Sequence, residues 1–130
     1  GGILSSDSEE LIINTVGRVC RQSIYSLLGE SAGKALLFFL EKDFGRDPFE
    51  VLWESPRTLY SGIEKILGAG TKILINILVD GINKESNLNM SPELFLELMR
   101  NGDQRSTEEI RLFLRKVAES SIIAHGMSDT

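Results

Sequence analysis

All three prolines of the 130-residue chain directly follow a residue that favours the start of a helix. They stand in the pairs Asp47-Pro48, Ser55-Pro56 and Ser91-Pro92. A Ser or Asp side chain at the N-cap accepts a hydrogen bond from a backbone amide that the first helical turn leaves free. Proline suits the next position, because its φ is already helical and the N–H that it lacks would have no partner there. The pairs therefore predict three helix starts.

Further capping residues and glycines mark other helix boundaries. A glutamate three residues after the cap completes capping boxes at Ser6 with Glu9, Asp47 with Glu50, and Ser106 with Glu109. Glycines that follow apolar stretches favour helix ends, because glycine adopts the left-handed conformation without strain. Gly29, Gly45 and Gly102 stand at such positions.

Apolar residues recur every three or four positions between these signals, which is the period of an α-helix. The predicted helices are 7–28, 31–44, a short one from 48, 56–67, 71–85, 92–101 and 107–124. The fold class is therefore all-α, a single compact bundle of about six helices plus one short helical turn. We expect residues 6–126 to form the domain, residues 1–5 to be a disordered segment or a cloning scar, and residues 127–130 to be a tail.

Two predicted helices carry more apolar residues than one side of a helix needs. The second, which contains Phe38 and Phe39, is apolar on nearly every side, and this favours the central, most buried position. In the fifth, Ile75 and Val79 form a second apolar side beside the stripe that contains Leu74. This surplus exceeds what one small core takes up, so the fifth helix predicts a dimer.

The groups from which catalytic and metal sites are built are scarce in this sequence. It has one cysteine, Cys20, and one histidine, His125, so it offers neither a Cys/His cluster nor an intrachain disulfide. Residues 68–72 read Gly-Ala-Gly-Thr-Lys, but the order of Thr and Lys is the reverse of that in a phosphate-binding loop. We therefore expect no enzyme activity, no cofactor and no metal.

Charge and hydropathy narrow the choice of partner. The net charge is −5, which opposes binding to the phosphates of nucleic acid. The densest apolar run, residues 73–82, is about half as long as a membrane-spanning helix. No secretory signal pattern is present, and an unpaired cysteine is compatible with a reducing compartment. The expected partner is a protein or a second copy of the chain, with no nucleic acid and no membrane span, in the cytoplasm.

Four segments give the chain a likeness to an archaeal family: residues 26–29 (Ser-Leu-Leu-Gly), 36–41, 47–49 (Asp-Pro-Phe) and 59–80, with the Gly68-Ala69-Gly70 turn in the middle of the last. Over about residues 9–82 the sequence resembles the Nitrosopumilus output domain family. These are small helical modules that archaeal signalling proteins carry or that stand alone. The resemblance implies a role in archaeal signal output and brings no catalytic residue with it.

Two functions fit these observations. The first is a non-enzymatic protein–protein interaction or signalling-output module that associates with itself. The alternative is a domain that senses a small molecule or lipid in an apolar pocket between helices. The residues expected to line the interface or pocket are Phe38, Phe39, Trp53, Tyr60, Ile75, Val79 and Phe113.

Overall fold

A computed structural model describes the backbone of residues 2–128 and the side chains of residues 8–123. Over residues 2–128 the chain forms seven helices and no strand, which confirms the all-α prediction. The helices are α1 (Gly2–Leu28), α2 (Glu30–Phe44), α3 (Pro48–Glu54), α4 (Pro56–Leu67), α5 (Gly70–Ser86), α6 (Pro92–Asn101) and α7 (Gln104–Ser128). None of them, as far as described, is long and apolar enough to cross a membrane. The backbone of residues 2–5 belongs to α1 and that of residues 127–128 to α7. The predictions that residues 1–5 are a disordered segment or a cloning scar and that residues 127–130 are a tail stay predictions.

The three prolines occupy the first turns of α3, α4 and α6, as predicted. The Asp47 carboxylate accepts a hydrogen bond of 2.8 Å from the Phe49 amide, and the Ser91 hydroxyl accepts one of 3.1 Å from the Leu94 amide. Ser55 precedes α4 without capping it through its side chain; its hydroxyl lies 2.7 Å from that of Thr58. Two of the three predicted side-chain caps are therefore formed.

Four helices start earlier than predicted: α1 at Gly2, α2 at Glu30, α5 at Gly70 and α7 at Gln104, against predicted starts at residues 7, 31, 71 and 107. Helix α2 begins at Glu30, directly after Gly29, whose φ of 87° turns the chain sharply out of α1. Helix α7 begins at Gln104, and the Asp103 carboxylate accepts a 2.7 Å hydrogen bond from the Ser106 amide. The capping box predicted at Ser106 is therefore wrong, because an aspartate three residues earlier takes that role. The box predicted at Ser6 falls outside the described side chains.

The centre of the core comes from α5 and α7 rather than from α2. Ile75 and Val79 of α5 and Ile110 and Val117 of α7 are among its most buried side chains. Helix α2 lies at the side of the bundle, where it packs against α1, α3 and α4. Since only one side of α2 is covered, the prediction that it is the central helix is wrong.

Candidate protein interface

The outer side of α2 carries a pair of exposed aromatic rings. Phe38 is 59% exposed and Phe39 is 53% exposed, and Ala35, about one turn earlier, is exposed as well. Their spacing of three and four residues places all three on one side of the helix. We call Ala35, Phe38 and Phe39 the α2 outer face. The inner side of the helix is buried through Gly33, Leu36, Leu37 and Leu40.

Two glycines seat α2 closely on its neighbours. A Cβ atom at Gly33 would lie 2.7 Å from Cδ1 of Tyr25 on α1. A Cβ atom at Gly62 of α4 would lie 2.5 Å from Cζ of Phe44, at the other end of α2. Both contacts are possible only because glycine has no side chain. Helix α2 therefore approaches α1 and α4 more closely than a larger residue would allow. The inner side is thus fixed at both ends, and this fixes the direction of the outer face.

The rings of the α2 outer face contact each other and a lysine of the same helix. Phe38 and Phe39 meet edge to face, with centroids 5.8 Å apart and planes at 69°. The ammonium group of Lys42 lies 5.9 Å from the Phe38 centroid, within the range of a cation–π contact. A shallow depression lined by Phe38, Glu41, Lys42, Gly45 and Arg46 continues the surface toward the end of α2. Two adjacent aromatic rings on a protein surface are typical of a docking site.

One border of the α2 outer face is charged. The Lys34 ammonium lies 2.6 Å from the Glu30 carboxylate one turn earlier. The hydrogen bond from Lys34, followed by its charge, lowers the pKa of Glu30, and the same bond raises the pKa of Lys34. Glu41 lies on the same border, and no ion pair engages it among the side chains of residues 8–123. The border therefore presents charges of both signs to a partner.

The other predicted site residues lie in the core. Trp53, Tyr60, Ile75, Val79 and Phe113 are all buried. Ile75 and Val79 are therefore not available for the interface for which the sequence favoured them. On α5 the exposed isoleucines are Ile73 and Ile77 instead. The structure thus separates the predicted set into two surface aromatics on α2 and five core residues.

The buried aromatics are held by contacts within the bundle. The Trp53 carbonyl accepts a 2.9 Å hydrogen bond from Nε of Arg111, and the guanidinium groups of Arg111 and Arg115 each lie 5.3 Å from its ring centroid. Phe113 meets Phe95 edge to face at 5.7 Å. These rings join α3 to α7 and α6 to α7, which is a structural role.

The core holds an apolar void of about 50 Å³. Its walls are mainly aliphatic, with Cys20, Leu40, Ile75 and Val79 among them, and they include none of Phe38, Phe39, Trp53, Tyr60 or Phe113. Pockets for drug-sized ligands are commonly about 300–1,000 Å³. The void leaves no room for a lipid chain, so the residues expected to form a sensory pocket do not enclose one.

A second apolar surface lies in the groove between α1 and α5. Leu27 and Ile77 line it, and polar or charged residues such as Asp80 and Lys84 surround them. Ile73, one turn before Ile77, is exposed beyond it. The apolar pattern of α5 does not separate Ile73 and Ile77 from its buried residues, so this groove was not predicted from the sequence. Lys34 and Glu41 were not predicted either, although their seven-residue spacing across the two phenylalanines indicates a charged border.

Comparisons with models of protein families, with curated proteins and with solved structures find no match to this chain. The likeness to the Nitrosopumilus output domain family stays a prediction from the sequence, as does the cytoplasmic location. Among the side chains of residues 8–123, no group of three His, Cys, Asp or Glu residues is placed to hold a metal ion. The α2 outer face is the candidate functional site.

Cys20 is expected to be chemically inert in the folded protein. Its side chain is buried, and burial raises the pKa of the Cys20 thiol from 9.0 to about 12, against a smaller opposite effect of Arg21. The thiolate is the reactive form. We expect an aromatic disulfide reagent at about pH 8 to label the folded protein at least about tenfold more slowly than the denatured protein. Equal rates would show that Cys20 is accessible.

The same shift gives stability a dependence on pH. The folded state holds the Cys20 proton more tightly than the unfolded state does. Its contribution to stability is therefore complete below the ordinary pKa of 9.0 and is lost progressively as the pH rises toward about 12.

Proposed function

We propose that this protein is a non-enzymatic helical interaction module that associates with a second copy of itself through the α2 outer face. The observation that carries the proposal is the exposure of two adjacent phenylalanines, Phe38 and Phe39, on a helix whose other side is fixed in the core. The resemblance of residues 9–82 to an archaeal signalling-output family supports a role in signal output, with the association as the output event.

Burying the two rings of this face against a partner is energetically favourable. Moving a fully exposed phenylalanine side chain out of water is worth about 1.5–3 kcal/mol. Single apolar residues on a surface are normal, but two neighbouring aromatic rings form a patch that commonly marks a contact site. Identical chains most often meet through one patch used twice, so the same two rings contribute from each copy. One helix side is a small interface, and the association is therefore expected to be reversible and concentration-dependent.

Replacing both phenylalanines tests the proposal. We expect the double variant F38S/F39S to raise the dissociation constant of the dimer by about 100-fold, since four rings leave the interface. The measurement is sedimentation velocity over protein concentrations up to about 0.5 mM. Circular dichroism checks that both proteins are folded.

The matched control removes two exposed apolar side chains from other helices. Ile73 on α5 and Leu112 on α7 are both more than half exposed, so I73S/L112S lowers surface hydropathy without touching α2. This control is expected to dimerise like the unchanged protein. A protein that stays monomeric at about 0.5 mM, or a dimer that F38S/F39S leaves intact, would contradict the proposed function.

A further inference from the structure

We propose that Asn101 is a site of spontaneous deamidation, at which the backbone nitrogen of Gly102 attacks the side-chain carboxamide and releases ammonia. Asn101 is the last residue of α6, and Gly102 is the C-cap of that helix. The pair lies on a different helix from the α2 outer face and takes no part in the proposed function. The end of α6 holds the two reacting groups loosely enough for them to meet.

The reaction needs only water and a base from solution. The Gly102 nitrogen loses its proton to the base and forms a bond to Cγ of Asn101, and the carboxamide nitrogen takes up a proton and departs as ammonia. The product of this step is a cyclic imide. One water molecule then opens either C–N bond of the imide, which leaves aspartate or isoaspartate at position 101. The sum is one water consumed and one ammonia released, with no change of oxidation state.

A glycine after the asparagine favours this attack, because a side chain on the attacking residue hinders the approach of its nitrogen. The fold requires the glycine at position 102. Its φ is 67°, and a Cβ atom there would lie 2.8 Å from Cδ of Arg57. Asn101 alone among the asparagines of the chain precedes a glycine, and the residues that follow the others are Thr15, Ile77, Lys84, Leu88 and Met90.

The attacking amide is weakly held. The Gly102 N–H donates to the Leu98 carbonyl over 3.3 Å. The amides of Gly29, Gly45 and Gly68, which also follow helices, donate over 2.9, 2.8 and 2.8 Å. Because a longer hydrogen bond is weaker, the Gly102 amide is released more easily than the other three.

The place of Asn101 at a helix end makes ring closure accessible. The cyclic imide is incompatible with a helical ψ, so the asparagine must first leave the helix. At the last residue of α6 this requires only fraying of the final turn. Asp80-Gly81 can form the same imide, but it lies inside α5, where opening would break hydrogen bonds on both sides. Asn101 is also exposed, so base and water reach it.

The charges near the pair are mixed and do not decide the reaction. A cation stabilises the negative charge that develops during the attack, and a carboxylate opposes it. Asn101 lines a cleft between α4 and α6 together with Arg57 and Arg100, but also with Glu64, Glu93 and Glu97. Asp103, two residues later, adds a further carboxylate, which caps α7. The backbone at the end of α6 therefore carries the proposal.

Deamidation alters the connection between α6 and α7. Either product puts a negative charge at the C-terminus of α6, where it opposes the helix dipole. Isoaspartate also adds a methylene group to the main chain directly before Gly102, whose turn is fitted against Arg57. The products therefore weaken this turn.

Incubation of the full chain in mildly alkaline buffer tests the proposal, with peptide mapping by mass spectrometry as the readout. A sample unfolded in guanidinium chloride is followed in parallel and gives the rate without the fold. In the folded protein we expect conversion at position 101 to be at most about 30-fold slower than in the unfolded sample, with both aspartate and isoaspartate formed. The other asparagines of the folded protein are expected to convert at least about tenfold more slowly than Asn101.

The matched control is Asn101→Gln, which keeps a carboxamide but places it one methylene farther along the side chain, and it is expected to show no conversion at this position. A slowing of more than about 30-fold by the fold would show that the end of α6 protects the pair, and the proposal would be wrong. Faster conversion at Asn87 or Asn89, the exposed asparagines between α5 and α6, would also overturn it. Aspartate without isoaspartate would indicate direct hydrolysis by water and exclude attack by Gly102.

Discussion

Replacing Ile75 by alanine is expected to lower the free energy of unfolding by about 3 kcal/mol, whereas the same replacement at Ile73 is expected to change it by less than about 0.5 kcal/mol. Ile75 is 2% exposed and Ile73 is 63% exposed, although they stand two residues apart on α5. Removing buried methyl groups loses their transfer energy and leaves a cavity that the core fills only in part. At Ile73 the lost atoms already face water.

The comparison controls for helix propensity, because both substitutions put the same residue into the same helix. Urea denaturation followed by circular dichroism gives the two values, and the slope against urea shows whether either variant alters the unfolded state. Equal losses at the two positions would mean that α5 is rotated relative to the arrangement described above. A larger loss for Ile73→Ala than for Ile75→Ala would mean that α5 buries Ile73 and exposes Ile75.

Replacing Gly102 by alanine is expected to destabilise the fold in two ways, through backbone strain and through steric overlap. Its φ is 67°, a conformation that alanine adopts only with strain, and a Cβ atom there would lie 2.9 Å from Cβ of Arg57. We expect Gly102→Ala to lower the free energy of unfolding by about 2–3 kcal/mol, the sum of backbone strain and overlap.

Gly45 separates the two contributions to that loss. Its φ is 70°, nearly the same, but a Cβ atom there would meet nothing within 4 Å. Gly45→Ala is therefore expected to cost about 1 kcal/mol, through backbone strain alone. The measurement is again urea denaturation. Similar losses for the two variants would show that the Arg57 side chain moves aside without penalty.

The helix starts could be predicted from the sequence because their causes are local. Proline at the first helical position and a capping oxygen before it act within a few residues, as at Asp47-Pro48 and Ser91-Pro92. The error at α7 was also local: Asp103 and Ser106 are both good caps, and the chain uses the earlier one. Local signals thus identified the elements, but several predicted boundaries differ from the observed ones, by as much as five residues at the start of α1.

The side that each helix buries could not be predicted in the same way. Helices α2 and α5 are apolar on more than one side, and periodicity alone does not decide which of those sides meets the core. Ile75 and Val79 turn inward because α5 lies among other helices, while Phe38 and Phe39 turn outward because α2 is covered on one side only. Both outcomes depend on contacts between distant parts of the chain. The sequence did name the two phenylalanines for an interface or a pocket, although it favoured a buried position for their helix.

The setting of Trp53 provides a built-in optical probe. It is the single tryptophan of the chain, and it is buried on α3 beneath two arginines of α7. Its indole emission is therefore expected at short wavelength in the native state and at longer wavelength once α3 and α7 separate and water reaches the ring. Every variant discussed above keeps Trp53, so one fluorescence signal can follow the separation of these helices without an added dye.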